Sequence, residues 1–221
     1  MNKTFNSIRY ADDFEMNSIE KIRMKKVLEL IGSKSSKILD LGCGDGFIME
    51  IFKKNGHKVE GIEIAKNAIM KARKKGFKVY DLSLIEKWSH EIDQKFDVVF
   101  CGEIIEHVFD TDLFLQEVRK VLKSNGSIIM TTPNIASLAR RLMLLLGISP
   151  HTETTARKYD AGHIRYFTRS TLRKLLEEND FKNIFMASSV VNFANNGTFF
   201  STFIAKLFPS FGNNTVLRAK K

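Results

Sequence analysis

Short apolar runs alternate with amphipathic stretches from residue 37 onward. The runs KILDL, KVEGIEI, FKVYDL, FDVVFCG and SIIMTTP have the length and composition of buried strands. The patterns GFIMEIFKKNG, AKNAIMKARKKG and DTDLFLQEVRKVLKSNG predict amphipathic helices, each ended by a glycine, and a polar helical stretch runs to Trp88. Because strands and helices alternate regularly, the pattern predicts βαβ crossovers. The expected class is α/β and Rossmann-like, with a mostly parallel sheet and helices on both faces.

Two regions depart from this rhythm. Residues 1–36 hold an N-terminal arm and a helix in SIEKIRMKKVLELIG. Residues 134–162 hold an apolar helix, IASLARRLMLLLGI, and a polar loop, and we interpret them as a substrate-lid insertion over the strand ends. A helix opened by Thr168 or Ser170, a strand near KNIFMASSVV and a last strand near NTVLRAKK then follow. We expect residues 1–221 to form a single domain.

Composition bears on the cellular compartment and on the kinds of partner. Two cysteines, Cys43 and Cys101, give no disulfide framework, and the polar N-terminus has no signal-peptide pattern, so we expect a cytoplasmic protein. The net charge of +10 admits a nucleic acid, an anionic membrane or a phosphorylated substrate as partner. Most lysines fall on predicted exposed helix faces and turns, where they chiefly keep a protein soluble.

A glycine-rich loop joins the first predicted strand to the first helix of the alternating region. Asp40, Gly42, Gly44 and Gly46 are spaced D-x-G-x-G-x-G. Glycines at such a turn let the backbone approach a ligand closely, beside a helix N-terminus. The dinucleotide pattern G-x-G-x-x-G does not fit, because the third glycine comes one residue early. An acid before the loop would repel a pyrophosphate and favours a cationic ligand, such as a sulfonium amino acid.

Further acids follow the next two strands. Glu63 ends the second strand, where it is placed to hold ribose hydroxyls. Asp81 ends the third strand and could meet an adenine amino group. Carboxyl ends of parallel strands share one sheet edge, so these acids indicate a nucleoside site; the alternative is that they cap strand ends.

These segments, with FDVVFCGEIIEHV and LKSNGSIIMTTPN, resemble the ordered motifs of the class I S-adenosylmethionine-dependent methyltransferases. The resemblance is close over residues 36–134 and looser to about residue 187. It implies a seven-stranded sheet whose last strand is antiparallel, and S-adenosylmethionine as cofactor. The residues that it places in the cofactor site are Asp40, Gly42, Cys43, Gly44, Gly46, Glu63, Asp81 and Leu82, with Cys101, Gly102 and Glu103 near the methionine portion.

The stretch GEIIEHV follows the fourth strand. On a helical turn, Glu103, Glu106 and His107 stand at i, i+3 and i+4 and point one way. E-x-x-E-H followed later by His163 resembles the metal-binding set of the small-RNA 3′-terminal 2′-O-methyltransferases, and E-x-x-E-H also resembles the ubiquinone-type O-methyltransferases. The resemblance implies Glu103, Glu106, His107 and His163 as ligands of Mg²⁺, Mn²⁺, Fe²⁺ or Zn²⁺.

Other roles for these residues stay open at this stage. His107 or His163 could act alone as a general base without a metal, and Glu106 is the third candidate catalytic residue. Alternatively, Glu103 contacts only the cofactor while Glu106 and His107 cap the turn, or His163 packs against the insertion.

The expected reaction is methyl transfer to a hydroxyl of a small molecule, a quinol or a lipid-linked glycan. The apolar helix with Arg140 and Arg141, and the Phe-rich stretch from Phe193 to Phe211, favour a lipophilic acceptor and allow peripheral membrane contact. RNA 2′-O-methylation is the second choice, on the basic and aromatic stretch RKYDAGHIRYF. A non-catalytic, cofactor-binding partner subunit is the alternative of another class, and the assembly is expected to be a monomer or a homodimer.

Overall fold

A computed structural model of the chain describes residues 16–150, 162–193 and 199–221. Seven strands form one sheet: β1 (Lys37–Leu41), β2 (Lys58–Glu63), β3 (Lys78–Asp81), β4 (Phe96–Gly102), β5 (Leu122–Pro133), β6 (Lys182–Ala187) and β9 (Asn214–Lys220). A separate pair is formed by β7 (Val191–Asn192) and β8 (Phe200–Ser201). The α-helices are α1 (Ser18–Ile31), α2 (Phe47–Lys54), α3 (Lys66–Lys74), α4 (Thr111–Val121), α5 (Leu138–Leu145), α6 (Arg169–Glu178) and α7 (Thr202–Leu207).

The large sheet has the strand order β3-β2-β1-β4-β5-β9-β6. Strands β1 to β5 pair in parallel, whereas β9 runs antiparallel to both β5 and β6. The predicted mostly parallel, seven-stranded sheet with an antiparallel last strand is therefore confirmed. Its carboxyl edge brings together the loops that follow β1, β2, β3 and β4, because parallel strands end on the same side.

Helices cover both faces of the sheet, as expected. Phe114 and Leu115 of α4 and Leu172 of α6 are buried in the same cluster as Leu39 and Val99 of the central strands. On the opposite face of the sheet, Met24 and Val27 of α1 and Phe52 of α2 form a second buried cluster. Its strand members include Ile38 of β1 and Val98 of β4. The central strands are buried on both sides, which is why they consist of nearly continuous apolar runs.

One predicted helix is shorter than the sequence indicated, and another does not form. The helix predicted through Gly126 ends at Val121, and β5 begins at Leu122, which pairs with Phe96 at a β-bulge. The polar helix predicted up to Trp88 is absent from the described chain there, and a short 3₁₀ turn, Ser89–Glu91, follows it. In both places the expectation was wrong because tertiary contacts decide the local structure. Glu117 accepts hydrogen bonds from the amides of Trp88 and Ser89, at 2.9 and 2.8 Å, and fixes that segment.

The segment predicted as a lid is described only up to residue 150 and at residue 162, since residues 151–161 lie outside the described chain. Its helix, α5, follows β5 and has its main contacts with β7 and with the 3₁₀ turn Pro209–Phe211. Arg141 lies over the ring of Phe211, with 5.2 Å between the guanidinium carbon and the ring centroid. The role of this segment as a lid stays a prediction.

Candidate functional site

The glycine loop between β1 and α2 turns sharply and stays close to the neighbouring strand. Gly42, Gly44 and Gly46 all have positive φ, at 68°, 57° and 85°. The amides of Gly42 and Cys43 both donate to the carbonyl of Ile62, at 2.8 and 3.0 Å. A Cβ on Gly42 would lie 2.6 Å from Cδ1 of Ile104, so this position has no room for a side chain. The loop therefore depends on glycine for both its conformation and its packing.

Glu63 ends β2 and organises the surrounding backbone. Its Oε2 accepts from the amide of Gly44 at 2.9 Å, while Oε1 accepts from the amides of Ile64 and Ala65 at 2.8 and 2.9 Å. The carboxylate is 6% exposed and is held by main-chain donors on both oxygens. Its orientation is consequently fixed relative to the glycine loop before any ligand arrives.

Asp40, the acid before the loop, lies at the cavity with an unsatisfied oxygen. It is 3% exposed, and its Oδ2 has no hydrogen-bond partner among the described residues. Burial, and then the charge of Glu63, raise the pKa of Asp40 well above its usual range. A buried carboxylate without a partner favours a positively charged or hydrogen-bond-donating ligand beside it.

A cavity opens between the glycine loop, the end of β4 and helix α1. Of the predicted cofactor residues, six line it: Asp40, Gly42, Cys43, Gly44, Gly102 and Glu103. The others are not among its lining residues: Gly46 directly precedes α2, Glu63 and Asp81 end neighbouring strands, Leu82 follows Asp81, and Cys101 is buried within β4. Asp81 pairs with Lys66 at the first position of α3.

Sequence reasoning missed the contribution of α1 to this cavity. Glu20, Arg23 and Met24 line it, and a nitrogen of Arg23 lies 3.1 Å from Oε2 of Glu103. The helix carries many similar polar residues, so its pattern did not distinguish Arg23 from its neighbours. Only the docking of α1 against β5 and β9 shows which residue faces the cavity.

A second cluster lies just beyond the end of β4. Glu106, His107 and His163 each offer one ligand atom, and these atoms lie within 4.8 Å of one another. The rings of His107 and His163 have centroids 4.8 Å apart. His107 and Glu106 belong to the 3₁₀ turn Ile105–His107. His163 comes from the segment that begins at residue 162, where the described chain resumes. The fold therefore brings together three of the four residues that the E-x-x-E-H pattern and His163 suggested.

Glu103 is directed elsewhere. The expectation of one helical turn over Glu103–His107 was wrong, because Glu103 has φ of 55° and only Ile105–His107 is helical. The amide of Glu103 donates to the carbonyl of Thr131 at 2.9 Å, and its carboxylate pairs with Arg23. Since the left-handed residue turns the chain before the 3₁₀ turn begins, Glu103 faces the cavity and is not part of the Glu106–His107–His163 group.

Glu106 has the most perturbed environment of this group. It is 1% exposed, and its Oε2 accepts from the hydroxyl of Thr132 at 3.0 Å. Its Oε1 has no hydrogen-bond partner among the described residues, and Nε2 of His163 lies 4.0 Å from it. Burial, followed by the charge of Glu103, raises the pKa of Glu106 to about 8. A carboxyl group with such a pKa can exchange a proton near neutral pH.

The architecture and the glycine-loop cavity define the class: this is a class I, S-adenosylmethionine-dependent methyltransferase fold. Residues 16–184 match the family described as "Methyltransferase domain", and the chain belongs to that family. It is an S-adenosylmethionine-dependent methyltransferase, and the non-catalytic alternative is set aside.

Curated relatives include ubiquinone biosynthesis O-methyltransferases. The one from Aliivibrio fischeri strain MJ11 is 29% identical over 74% of this chain and 71% of its own length. The mitochondrial enzyme from Homo sapiens is 32% identical over 65% of this chain, but the match spans only 40% of that protein. The Pelagibacter ubique enzyme is 38% identical over 46% of this chain and 43% of its own length.

Solved structures share the fold. A methyltransferase from Archaeoglobus fulgidus superposes with a TM-score of 0.65 at 18% identity, covering 93% of this chain and 95% of its own. Magnesium protoporphyrin IX methyltransferase from Synechocystis, solved with bound S-adenosylhomocysteine, gives 0.61 at 16% identity, covering 98% and 93%. Within the described residues, no helix is both long enough and apolar enough to cross a membrane.

Proposed function

We propose that this chain transfers the methyl group of S-adenosylmethionine to a hydroxyl oxygen of a small molecule, with a quinol-type phenol as the first candidate. The observation that carries the proposal is the Glu106–His107–His163 group at the end of β4. It adjoins the cofactor cavity through Ile104, which lines that cavity and directly precedes the 3₁₀ turn. Ubiquinone biosynthesis O-methyltransferases among the relatives support the choice of an oxygen acceptor.

The chemistry asks for a group that handles a proton. In the transfer, the acceptor oxygen forms a bond to the methyl carbon while the carbon–sulfur bond breaks, and S-adenosylhomocysteine leaves. The sulfonium is already a good leaving group, but a neutral hydroxyl is a poor nucleophile until its proton is removed. Glu106, whose pKa is about 8 because of burial and then Glu103, is suited to take that proton in its ionised form. His163 stands beside it and can orient the hydroxyl.

The same residues fit a divalent cation. Glu106 has a buried oxygen without a hydrogen-bond partner among the described residues, and two imidazoles lie next to it. One carboxylate with two imidazoles suits Mn²⁺, Fe²⁺ or Zn²⁺ better than Mg²⁺, which prefers oxygen ligands. Bound there, a cation would lower the pKa of the acceptor hydroxyl. Glu106, His107 and His163 would hold the cation, and Glu103 would remain with Arg23.

An apolar surface supports a lipophilic acceptor. We call the exposed residues of α5, α7 and their flanks the apolar surface: Leu142, Leu144, Leu145, Leu146, Ile148, Phe199, Phe203, Leu207 and Phe208. Both helices contact β7 and the turn Pro209–Phe211. Residues 134–150 and 182–221 contain no Asp or Glu, so this region also suits contact with an anionic lipid surface.

The other acceptors draw less support. The stretch proposed for RNA contact lies partly in 151–161, outside the described residues. Arg165 from that stretch donates to main-chain carbonyls of Val108 and Phe109, which limits its use as a phosphate ligand. A lipid-linked glycan would match the apolar surface, but no specific contact among the described residues of the site favours a sugar over a phenol.

A labelled-methyl assay tests the proposal. Protein would be incubated with S-adenosylmethionine carrying a ¹³C methyl and with the catechol 3,4-dihydroxybenzoate, with and without Mn²⁺ or Zn²⁺. We expect an O-methyl resonance in the product, with a rate that falls at least about 100-fold in Glu106→Gln, the range typical for loss of a general base. His90→Ala, which removes an exposed histidine paired with Glu91, is the matched control.

Two results would contradict the proposal. Methylation of a nitrogen or carbon acceptor, with no turnover on any hydroxyl, would show that the acceptor atom was misassigned. Equal rates of methyl transfer in wild-type protein and Glu106→Gln would show that Glu106 takes no part in the reaction. Calorimetric titration of Mg²⁺, Mn²⁺ and Zn²⁺ into protein saturated with S-adenosylhomocysteine, beside His163→Ala, separates the metal-assisted route from the metal-free one.

A further inference from the structure

Two chain segments meet at the Glu106–His107–His163 group, and they are joined by hydrogen bonds. The amides of Ile164 and Arg165 both donate to the carbonyl of Glu106, at 3.0 and 3.1 Å. Nδ1 of His107 lies 3.1 Å from the carbonyl oxygen of Gly162. The relative position of His163 and Glu106 therefore depends on how firmly residues 162–165 are held against residues 105–109.

Arg165 adds side-chain bonds to this junction. Its Nε donates to the carbonyl of Val108 at 2.9 Å, and its Nη2 donates to the carbonyl of Phe109. Its guanidinium carbon also lies 5.9 Å from the centroid of the Phe109 ring. One planar guanidinium thus binds two successive carbonyls and an aromatic face, which the single ammonium of a lysine cannot do.

The bonded segment needs such support. The 3₁₀ turn Ile105–His107 is a single turn, with internal bonds from His107 to Ile104 at 2.9 Å and from Val108 to Ile105 at 3.3 Å. Isolated turns of this kind have little stability of their own. Ile105 and Val108 anchor the turn in the core, at 0% and 4% exposed, whereas Ile164 in the facing segment is 55% exposed. Apolar burial therefore contributes little to holding residues 162–165 against the turn, and hydrogen bonds must do so.

We propose that Arg165 is a positioning residue for methyl transfer: it clamps the 3₁₀ turn to the segment 162–165 and so sets His163 against Glu106 and His107. This inference rests on the proposed function for its catalytic meaning, but the clamp itself is a property of the fold. The cofactor cavity is lined by neither Arg165 nor residues 105–109, so cofactor affinity is expected to be independent of Arg165.

Hydrogen exchange tests the clamp without any acceptor. In Arg165→Ala, we expect the amide of Ile164 to lose about tenfold or more of its protection, while the amides of Gly44 and Ala65 keep theirs. Guanidinium ion at a non-denaturing concentration should restore part of that protection. The matched control is Arg119→Ala, because Arg119 also donates to a carbonyl, that of Asp180 at 2.5 Å, and also covers a phenylalanine ring.

Kinetics with the catechol probe add a readout that a purely structural role would not give. Arg165→Ala should lower kcat by about tenfold or more with an unchanged KM for S-adenosylmethionine, and it should cause no further loss in a His163→Ala background. The inference would be overturned if the protection of the Ile164 amide is unchanged in Arg165→Ala. It would also be overturned if that variant loses S-adenosylhomocysteine affinity by the same factor as kcat. If wild-type protein methylates a nitrogen or carbon acceptor and no hydroxyl, the proposed function fails, while the exchange result still decides the clamp.

Discussion

We call the cavity at the glycine loop the cofactor side and the Glu106–His107–His163 group, with its proposed role, the acceptor side; the two are built in different ways. On the cofactor side, the loop 42–46 is held by the neighbouring strand β2. The amides of Gly42 and Cys43 donate to Ile62, and the amide of Gly44 donates to Glu63, 19 residues further along the chain. On the acceptor side, Glu106 and His163 come from segments far apart in the chain and meet through a few bonds. The cofactor half is thus built from consecutive elements of the chain, whereas the proposed acceptor half joins residues such as His107 and Gly162, which are 55 positions apart.

Glu63 and Glu106 differ in their hydrogen bonding, although Asp40 on the cofactor side also has an oxygen without a hydrogen-bond partner among the described residues. Glu63 has main-chain donors on both oxygens. Glu106 has one bonded oxygen and one without a hydrogen-bond partner among the described residues. A carboxylate that is fully satisfied holds structure, whereas a buried, partly satisfied carboxylate is destabilising until a proton, a cation or a substrate joins it.

The largest expected effect is the pH dependence of stability from Glu106. Its pKa is raised from 4.5 in the unfolded chain to about 8, so the folded state binds the proton more tightly. Stability should therefore fall as pH rises from about 4.5 to about 8, by up to a few kcal/mol at about 1.4 kcal/mol per pKa unit. In urea unfolding without divalent cations, the free energy of unfolding of Glu106→Gln relative to wild type should increase from pH 5 to 8. Mn²⁺ or Zn²⁺ should reduce this difference between the two proteins if a cation binds to wild type.

Glu117 supplies a control of opposite sign. Burial alone would raise its pKa, but hydrogen bonds from Lys120 and Ser89 outweigh that effect and lower it to about 2. Its contribution is complete above pH 4.5 and is lost as pH falls toward 2. The stability difference between wild type and Glu117→Gln should accordingly stay constant from pH 5 to 8. A similar slope for both variants would contradict the assignment.

The next largest expected effect is a loss of cofactor affinity from a substitution in the glycine loop. Gly42→Ala places a Cβ 2.6 Å from Ile104 and forces φ of 68° on a residue with a side chain. We expect S-adenosylhomocysteine affinity to fall about 100-fold by calorimetry, equivalent to about 3 kcal/mol. Gly56→Ala is the matched control, because Gly56 also has positive φ, of 85°, but no atom lies within 4 Å of the place that its Cβ would take. That control should lose about 1 kcal/mol of stability and keep its affinity.

A smaller effect concerns the apolar surface. Leu145 and Phe203 are 81% and 68% exposed, on α5 and α7 respectively. Leu145→Ser with Phe203→Ser should reduce binding to phosphatidylglycerol vesicles about tenfold in a flotation assay, in line with the loss of two apolar side chains. Ile85→Ser, an exposed residue elsewhere, should have no effect. Equal binding of all variants would indicate that this surface does not meet lipid.

The smallest expected effect is on cofactor affinity and comes from the Lys66–Asp81 pair. Lys66 pairs with Asp81, and both partners have exposed side chains, so the pair is worth little by itself. We expect Lys66→Met to weaken S-adenosylhomocysteine binding only about two- to threefold, because the carboxylate predicted to meet adenine loses one constraint. Lys174→Met, which removes an exposed pair with Glu178, should leave the affinity unchanged.

Sequence reasoning recovered the fold because each parallel strand is a distinct apolar run followed by a chemically specific residue. It placed Asp40 and Glu63 at one edge from their positions at strand ends, which follows from topology alone. It could not separate Glu103 from Glu106, since the left-handed conformation at Glu103 is set by the contact with Thr131 and is invisible in the residue pattern. It also missed Arg23 and the bonding of Arg165, whose partners lie far away along the chain.

The most direct test of whether the two sides act independently measures cofactor binding and methyl transfer in one variant. His163→Ala would be measured for its S-adenosylhomocysteine dissociation constant by calorimetry and for its single-turnover rate of methyl transfer to the catechol probe. We predict a rate at least about 100-fold lower with a dissociation constant within about threefold of wild type. An unchanged rate, or a dissociation constant that rises in proportion to the lost rate, would contradict the account.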